Sequence, residues 1–491
     1  MKLLTEIGTR TLLPVVALAT TLTTSLPVRA DELVNRLDDH LQTAMAEAMQ
    51  PGLGAVVVQG DQVLLSKGYG LADRDSARAM TADTPIAIGS TTKGMTALAV
   101  MQLVEEGRVD LDAPVVTYLP DFTMADERYT QITTRELLSM SAGLPANNAL
   151  DGNQDPDGLE RQVPKLADVQ LHRDPGSGYE YANDGFNLAG LLVQRLSGEP
   201  YEQYITDHLF SSLGMNHSTF DAEQGSKWGM AQGYGHHRGR LVPLVTPLTR
   251  GYMPTGGAMT SANDVSRYLQ ALLNGGALDQ ARVLSPESVN VMWTPTFRTG
   301  DKTAVGLGWM LEDVDGHAGW TWTGDIGTSS SVFLVIPDQH LGVAVMANYD
   351  TPATLNQLVA DLVTIALGDE PVQHPAPPDL TKLPEAAPDR SGWDSYLGLY
   401  KATRDAIRIS RQGDRLVAAV AGGDLLAIAQ GLGPDEGRSV DLVPISPTEF
   451  VFLGDSTVLD GIPVSFKAGP DGRMMLMFGG APFAVRQGDD S

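Results

Sequence analysis

The chain has 491 residues, 42% of them apolar, with 34 Lys and Arg against 60 Asp and Glu, a formal charge of −26 and no cysteine. That length and apolar content suffice for roughly two to four packed domains. The acidic balance argues against nucleic acid and anionic membrane as partners, since both need a basic patch to displace counterions, and the missing thiols exclude disulfides, cysteine nucleophiles and cysteine-ligated metals.

Lys2 and Arg10 precede an apolar stretch from Leu12 to Leu26 that ends in Val28-Arg29-Ala30, the pattern of a secretory signal over residues 1–30. The protein is therefore expected to be exported, periplasmic or secreted. A stable membrane span is not expected, because the stretch is short and Thr-rich against the roughly 20 apolar residues that spanning needs. From Asp31 to Met49 the residues Leu33, Leu37, Leu41, Ala44, Met45 and Ala48 recur at helical spacing. Gly54–Val58 and Val63–Leu65, separated by Gln59-Gly60-Asp61-Gln62, read as a β-hairpin.

Between Glu105 and about Asn290 the pattern is mostly helices and long loops: Thr134–Ser139, Phe186–Leu196, Tyr201–Leu209 and Asp264–Leu273. Ser261-Ala-Asn-Asp264 predicts a capping box before the last of these, and Ser285-Pro286-Glu287 a capped start with a first-turn proline. Strand texture returns at Gly306–Trp309, Ser331–Ile336 and Leu341–Met346, and a final helix spans Leu355–Ala366. Strands at both ends of a helical middle imply one sheet built from the two ends, an α/β unit over residues 31–367. Residues 368–390 carry six prolines and read as a linker. Beyond it, runs at Ala406–Ser410, Leu416–Val420, Phe450–Leu453 and Met474–Phe478 predict a small antiparallel sandwich or barrel over 391–491.

Three stretches carry chemistry. In Ser90-Thr91-Thr92-Lys93 the i,i+3 spacing places an amine beside a hydroxyl on one helix face. A lysine whose charge is suppressed by burial can make such a hydroxyl nucleophilic, helped by the positive end of the helix dipole. In Tyr181-Ala182-Asn183 an extended backbone would point both side chains the same way. The phenol, its proton affinity lowered by a Lys93 cation, could relay a proton, while Asn183 could bind a substrate carbonyl and also Lys93. In Trp322-Thr323-Gly324-Asp325 the glycine admits a close substrate approach. The Asp325 amide could then pair with the Ser90 amide as an oxyanion hole.

Together these stretches resemble the serine β-lactamase and penicillin-recognising family in its class C-like branch, which also holds esterases and D-amino-acid peptidases. Leu103–Pro114, Ile132–Leu138, Ala142–Pro145, Leu213-Gly-Met215 and Gly256-Gly257 before Thr260–Asp264 extend the likeness over most of residues 35–365. The resemblance implies Ser90 as the acylated nucleophile, Lys93 and Tyr181 as the acid/base pair, and Asn183 as a carbonyl ligand. It also implies Trp322, Thr323 and Gly324 as substrate-binding positions, and the amides of Ser90 and Asp325 as the oxyanion hole. No cofactor or metal is implied. The partner would be a small-molecule ester or amide.

Two positions depart from the family pattern. Trp322 stands where β-lactamases of this branch carry lysine and many relatives histidine; losing that cation removes the attraction for a substrate carboxylate and resembles the family's carboxylesterases. Met140 stands where relatives often have histidine. The resulting expectation is a carboxylesterase on uncharged esters. A β-lactamase or D-amino-acid peptidase is the nearest alternative, and a non-catalytic binding protein on the same fold is the alternative of another class. Other frames fit worse: Gly-x-Ser-x-Gly does not occur, nor does His-Glu-x-x-His, His236-His237 reads as a solvated turn, and only His317 is kept as a possible site neighbour. The C-terminal unit resembles the lipocalin-like β-barrel often appended to this family.

Overall fold

The computed structural model describes residues 30–48, 51–145, 155–237, 240–349, 352–372, 390, 392–402, 406–422, 439–446, 448–453, 463–469, 472–478 and 481–487. The expected signal segment before Ala30 and most of the expected linker lie outside these residues.

Residues 52–347 build a nine-stranded antiparallel sheet in which the two ends of the stretch meet. Its order is Phe297–Arg298, Ala304–Val305, Met310–Val314, His317–Asp325, Ser330–Ile336, Leu341–Ala347, Gly52–Gln59, Gln62–Asp73 and Arg78–Ala79. The expected hairpin is present, and its first strand pairs in register with Leu341–Ala347. These central strands are apolar on both faces because the sheet is covered on both. Val56, Val58, Phe333, Val335, Ala344 and Met346 pack into the helical block. Their alternating neighbours Ala55, Val57, Val332, Leu334, Val343 and Val345 pack under the helices Ala30–Ala48 and Pro352–Ala366. Those two helices are tied to each other by His40 and Asp361, 3.1 Å apart.

At the centre of the helical block lies the helix Thr92–Glu105, almost every residue of which is buried. Its sequence is apolar on all sides, as a helix enclosed by others requires. The helix Asn183–Ser197 packs beside it.

Two local expectations are corrected. Gly306–Trp309 is a turn between two strands, because its amides bond to helix-terminal carbonyls: Leu307 N to Met292 O at 2.9 Å and Gly308 N to Leu138 O at 2.9 Å. The capping box at Ser261 is one-sided. Ser261 Oγ accepts from the Asp264 amide, but the Asp264 carboxylate accepts from His217 N and Ser218 Oγ instead of returning to Ser261. The reciprocal box is at Thr133 and Glu136.

The C-terminal strands close into an eight-stranded barrel, with Gly398–Lys401 pairing with Ala481–Arg486. Besides the four expected runs it contains Gly398–Lys401, Ser439–Pro444, Pro463–Ala468 and Ala481–Arg486. Its interior is filled by side chains, among them Tyr400, Phe450, Phe452 and Phe466, and Tyr396 stacks on Phe466 with centroids 4.3 Å apart.

Candidate active site

Ile86–Ala87 is a short strand paired with Met259–Thr260. It leads through Gly89, whose φ of +53° only glycine adopts freely, into a single 3-10 turn Gly89–Thr91 and then the central helix. Ser90 therefore sits just ahead of the helix, and Lys93 lies in its first turn.

Lys93 Nζ lies 3.0 Å from Ser90 Oγ and 2.9 Å from Tyr181 Oη, and Ser90 Oγ lies 2.7 Å from Tyr181 Oη. The triangle is closed. A fourth bond runs from Lys93 to the Thr255 carbonyl at 2.8 Å. The lysine is fully buried, and desolvation holds its ammonium well below the usual lysine range. Burial pushes the Tyr181 phenol up, and the fields of Tyr179 and Asp325 add to it, against a hydrogen bond with Ser90 that lowers it. This corrects the expectation that a Lys93 cation lowers the phenol's proton affinity: burial raises it, and the same burial disfavours the Lys93 charge that would oppose the rise. With a neutral amine every bond of the triangle is satisfied. In that state the Nζ lone pair would accept from Ser90, Tyr181 would donate to Ser90, and the two N–H groups of Lys93 would reach Tyr181 and Thr255.

Tyr181 is delivered by an extended segment locked to a neighbouring loop. Glu180 N donates to Met140 O at 2.7 Å, Gly176 N to Ser141 O at 2.8 Å and His172 N to Gly143 O at 2.9 Å. The Glu180 carboxylate is buried and held by His172 Nδ1 at 2.8 Å and Arg173 Nε at 2.9 Å. Met140, buried and with φ of +51°, gives this loop its sharp reversal.

The strand His317–Asp325 supplies the opposite wall. Trp320 and Trp322 face the helical block. Trp322 is 4% exposed and stacks on Tyr181, ring centroids 6.5 Å apart at 22°. Thr323 is on the other face, where its hydroxyl donates to Asn356 Oδ1 at 3.1 Å. That corrects its expected place beside substrate, because adjacent strand residues alternate sides. A Cβ on Gly324 would collide with the Ile88 carbonyl and lie 3.0 Å from the Ser90 amide nitrogen. The end of the strand thus runs against the Ser90 turn, bringing the backbone of Asp325 beside Gly89. The Asp325 carboxylate accepts from Gly327 N at 2.6 Å.

Asn183 opens the helix Asn183–Ser197 instead of continuing the extended segment, and its carbonyl accepts from Thr255 Oγ1 at 3.1 Å. The bond expected from Lys93 to Asn183 goes to the Thr255 carbonyl. His317 lies at the far end of its strand and pairs with Asp338 at 2.9 Å, outside the site. His236 and His237 belong to a strand, Gly233–His237, not a loop; their side chains are outside the described residues. Among the described residues no group of three His, Asp or Glu side chains is placed to hold a metal ion, and no helix is long and apolar enough to cross a membrane.

The Beta-lactamase family profile matches residues 37–367. The chain belongs to the beta-lactamase family. Within that serine-hydrolase family it is 30% identical over 349 residues to penicillin-binding protein 4 of Amycolatopsis lactamdurans, covering 67% of this chain and 90% of the relative. It is 28% identical over 331 residues to protein flp of Staphylococcus aureus strain MW2, covering 65% of this chain. The match spans 64% of that relative's length. Two solved structures share the beta-lactamase fold, each at a TM-score of 0.60. The octameric penicillin-binding protein homologue from Pyrococcus abyssi is 24% identical and covers 92% of this chain and 100% of its own. EstCE1, described as a hydrolase with promiscuous acyltransferase activity, is 21% identical and covers 68% and 99%.

Sequence reasoning missed two parts of this beta-lactamase-family site. The Thr255 carbonyl leaves no mark in a side-chain pattern. Glu180, a buried carboxylate beside Tyr181, had a readable signal in the adjacent His172-Arg173 pair, though only the fold shows that they meet.

Proposed function

We propose that this chain is a serine hydrolase working through an acyl-Ser90 intermediate, and that its substrates are uncharged carboxylic esters. The closed hydrogen-bond ring of Ser90, Lys93 and Tyr181 around a buried amine carries the reading. Lys93 Nζ takes the hydroxyl proton as Ser90 Oγ adds to the ester carbonyl. The carbonyl electrons move onto oxygen, which rests against the Ser90 and Asp325 amides. Collapse re-forms the C=O and breaks the bond to the alkoxy group. Tyr181 gives that oxygen its proton and recovers one from Lys93. Water then adds to the acyl carbon, losing its proton to the same pair, and the acyl–Ser90 bond breaks as the proton returns to Ser90.

Asn183 is assigned to the substrate carbonyl and the close-packed Gly324 edge to the acyl group, while Trp322 backs Tyr181 and supplies no charge for a carboxylate. The hydrolase unit is assigned to residues 31–367 and the barrel unit to 391–491, with export directed by residues 1–30. A mature N-terminus at Asp31 on protein recovered outside the cytoplasm would support that last assignment, and an intact Met1 on cytoplasmic protein would remove it.

The deciding measurement is intact mass after treatment with a fluorophosphonate, followed by peptide mapping. One adduct on Ser90, with faster turnover of a neutral chromogenic ester than of a carboxylate-bearing cephalosporin, is expected. The kinship with penicillin-binding protein 4 favours a second reading, a β-lactamase or D-amino-acid peptidase, which faster cephalosporin turnover would select. No adduct and no turnover would leave a non-catalytic binding protein.

A further inference from the structure

Three consecutive carbonyls lead into Ser90, and each is gripped by a hydroxyl. Ser329 Oγ donates to Ala87 O at 2.7 Å. Ile88 O accepts from Ser331 Oγ at 2.6 Å and from Thr91 Oγ1 at 2.9 Å. Gly89 O accepts from Thr92 Oγ1 at 2.7 Å and also from the Thr92 amide. All four side chains are buried. Hydroxyls placed in an otherwise apolar core carry a desolvation cost that valine or alanine would avoid, so their function is sought in what they hold.

Together they hold the three consecutive peptide units that lead into Ser90, and Thr92 holds the last of them, between Gly89 and Ser90. The Gly89 carbonyl and the Ser90 N–H are opposite edges of a single plane, so gripping the oxygen aims the amide. Glycine at position 89, with φ of +53°, gives that plane little steric restraint of its own. Thr92 Oγ1 accepts in turn from Ala258 N at 3.2 Å, which ties the plane to the chain entering the strand that pairs with Ile86–Ala87. From the sheet side, Ser331 stands opposite Gly324 in register. The space over Gly324 lies 2.6 Å from Ser331 Oγ and 3.0 Å from the Ser90 nitrogen.

We propose that Thr92 and Ser331 are positioning residues for acyl transfer, their hydroxyls fixing the Ile88–Ser90 backbone so that the Ser90 amide faces the acyl oxygen. This rests on the acyl-Ser90 reading above. A donor of this kind acts on the transition state more than on bound substrate, so its misalignment has a kinetic signature that a packing defect lacks.

The test compares Thr92→Val, Thr92→Ser and Ser331→Ala with wild type on a neutral chromogenic ester. It also measures inhibition by an arylboronic acid, whose tetrahedral adduct on Ser90 places an oxygen at the same amide. Thr92→Val and Ser331→Ala should lower kcat by about tenfold to a hundredfold with KM within about twofold, and weaken the boronic acid by the same factor. Thr92→Ser should restore both quantities. Unchanged kcat and unchanged boronic acid affinity in Thr92→Val and Ser331→Ala, or a rise in KM alone, would overturn the proposal. If Thr92→Val does not fold, Ser331→Ala decides the matter by the same two readouts. A wild-type protein that takes neither boronic acid nor fluorophosphonate overturns the acyl-Ser90 reading and this one with it. One that takes both while the variants match it overturns this one alone.

Discussion

The surroundings of Lys93 and the interior of the C-terminal barrel are both tightly enclosed, and they are filled in opposite ways. Around Lys93 the contents are an amine, a phenol and a series of hydroxyls, each at a fixed distance from a named partner. Inside the barrel they are mainly aromatic rings and aliphatic chains, with the Tyr400 hydroxyl bonded to Tyr396 O at 2.9 Å. Hydrogen bonds impose direction and length, whereas apolar filling imposes only volume. The first enclosure is built to hold atoms at set positions, and the second is built to hold a shape. An eight-stranded barrel has room either for side chains or for one small ligand; here Tyr400, Phe450, Phe452 and Phe466 occupy that room.

The contrast can be broken at several points. The largest expected effect is Ser90→Ala, which should reduce ester turnover by at least about a thousandfold in a chromogenic assay; near-normal turnover would end the proposed role of this serine. Lys93→Met should lower kcat by about a hundredfold or more, on the scale of a lost general base, yet raise the thermal midpoint, since methionine fills the space without desolvating an amine. A lower midpoint would mean that Lys93 also serves the fold. Phe466→Ala should destabilise the barrel by about 3–5 kcal/mol in chemical denaturation while fluorophosphonate labelling of Ser90 stays within about twofold.

The pH dependence follows from the buried amine. Below the ordinary lysine value of 10.5 the unfolded chain binds a proton that folded Lys93 refuses. Stability should therefore fall as pH drops from that value toward the depressed one, a slope that Lys93→Met removes. Activity should rise through the same depressed value and then hold level, with no alkaline decline until the raised Tyr181 phenol ionises. A kcat/KM profile declining through pH 8 to 9 would contradict this assignment. The smallest effect is at the capping box: Thr133→Ala should cost about 1 kcal/mol, read as a shift in denaturation midpoint.

Much of the fold is legible in the sequence because the central strands and helices announce themselves through period and apolar content. Ala55–Val58 and Val332–Ile336 are apolar throughout instead of alternating, and the layers that cover the sheet on both faces explain why. Gly306–Trp309 is not legible, since its amides find partners at the ends of two helices, one of them far away in sequence. In the site, the i,i+3 spacing brings Ser90 and Lys93 together as expected, and Tyr181 meets both. The direction of the Tyr181 shift escapes the sequence because it depends on burial, which no local pattern reports. The Thr323 side chain, expected among the substrate-binding positions, turns to Asn356 because a motif records order along the strand but not which side each residue takes.

The triangle of Ser90, Lys93 and Tyr181 has one further property. With the amine neutral, its three bonds would form a loop in which each member gives one proton and receives one, and reversing all three would leave every member neutral and every bond made. Such a loop behaves as a reversible circuit: a proton that enters at the serine can leave at the phenol without any charge being stranded in the core. The groups needed to start a turnover are thus regenerated by finishing it, and the bulk solvent need contribute only the water that is consumed.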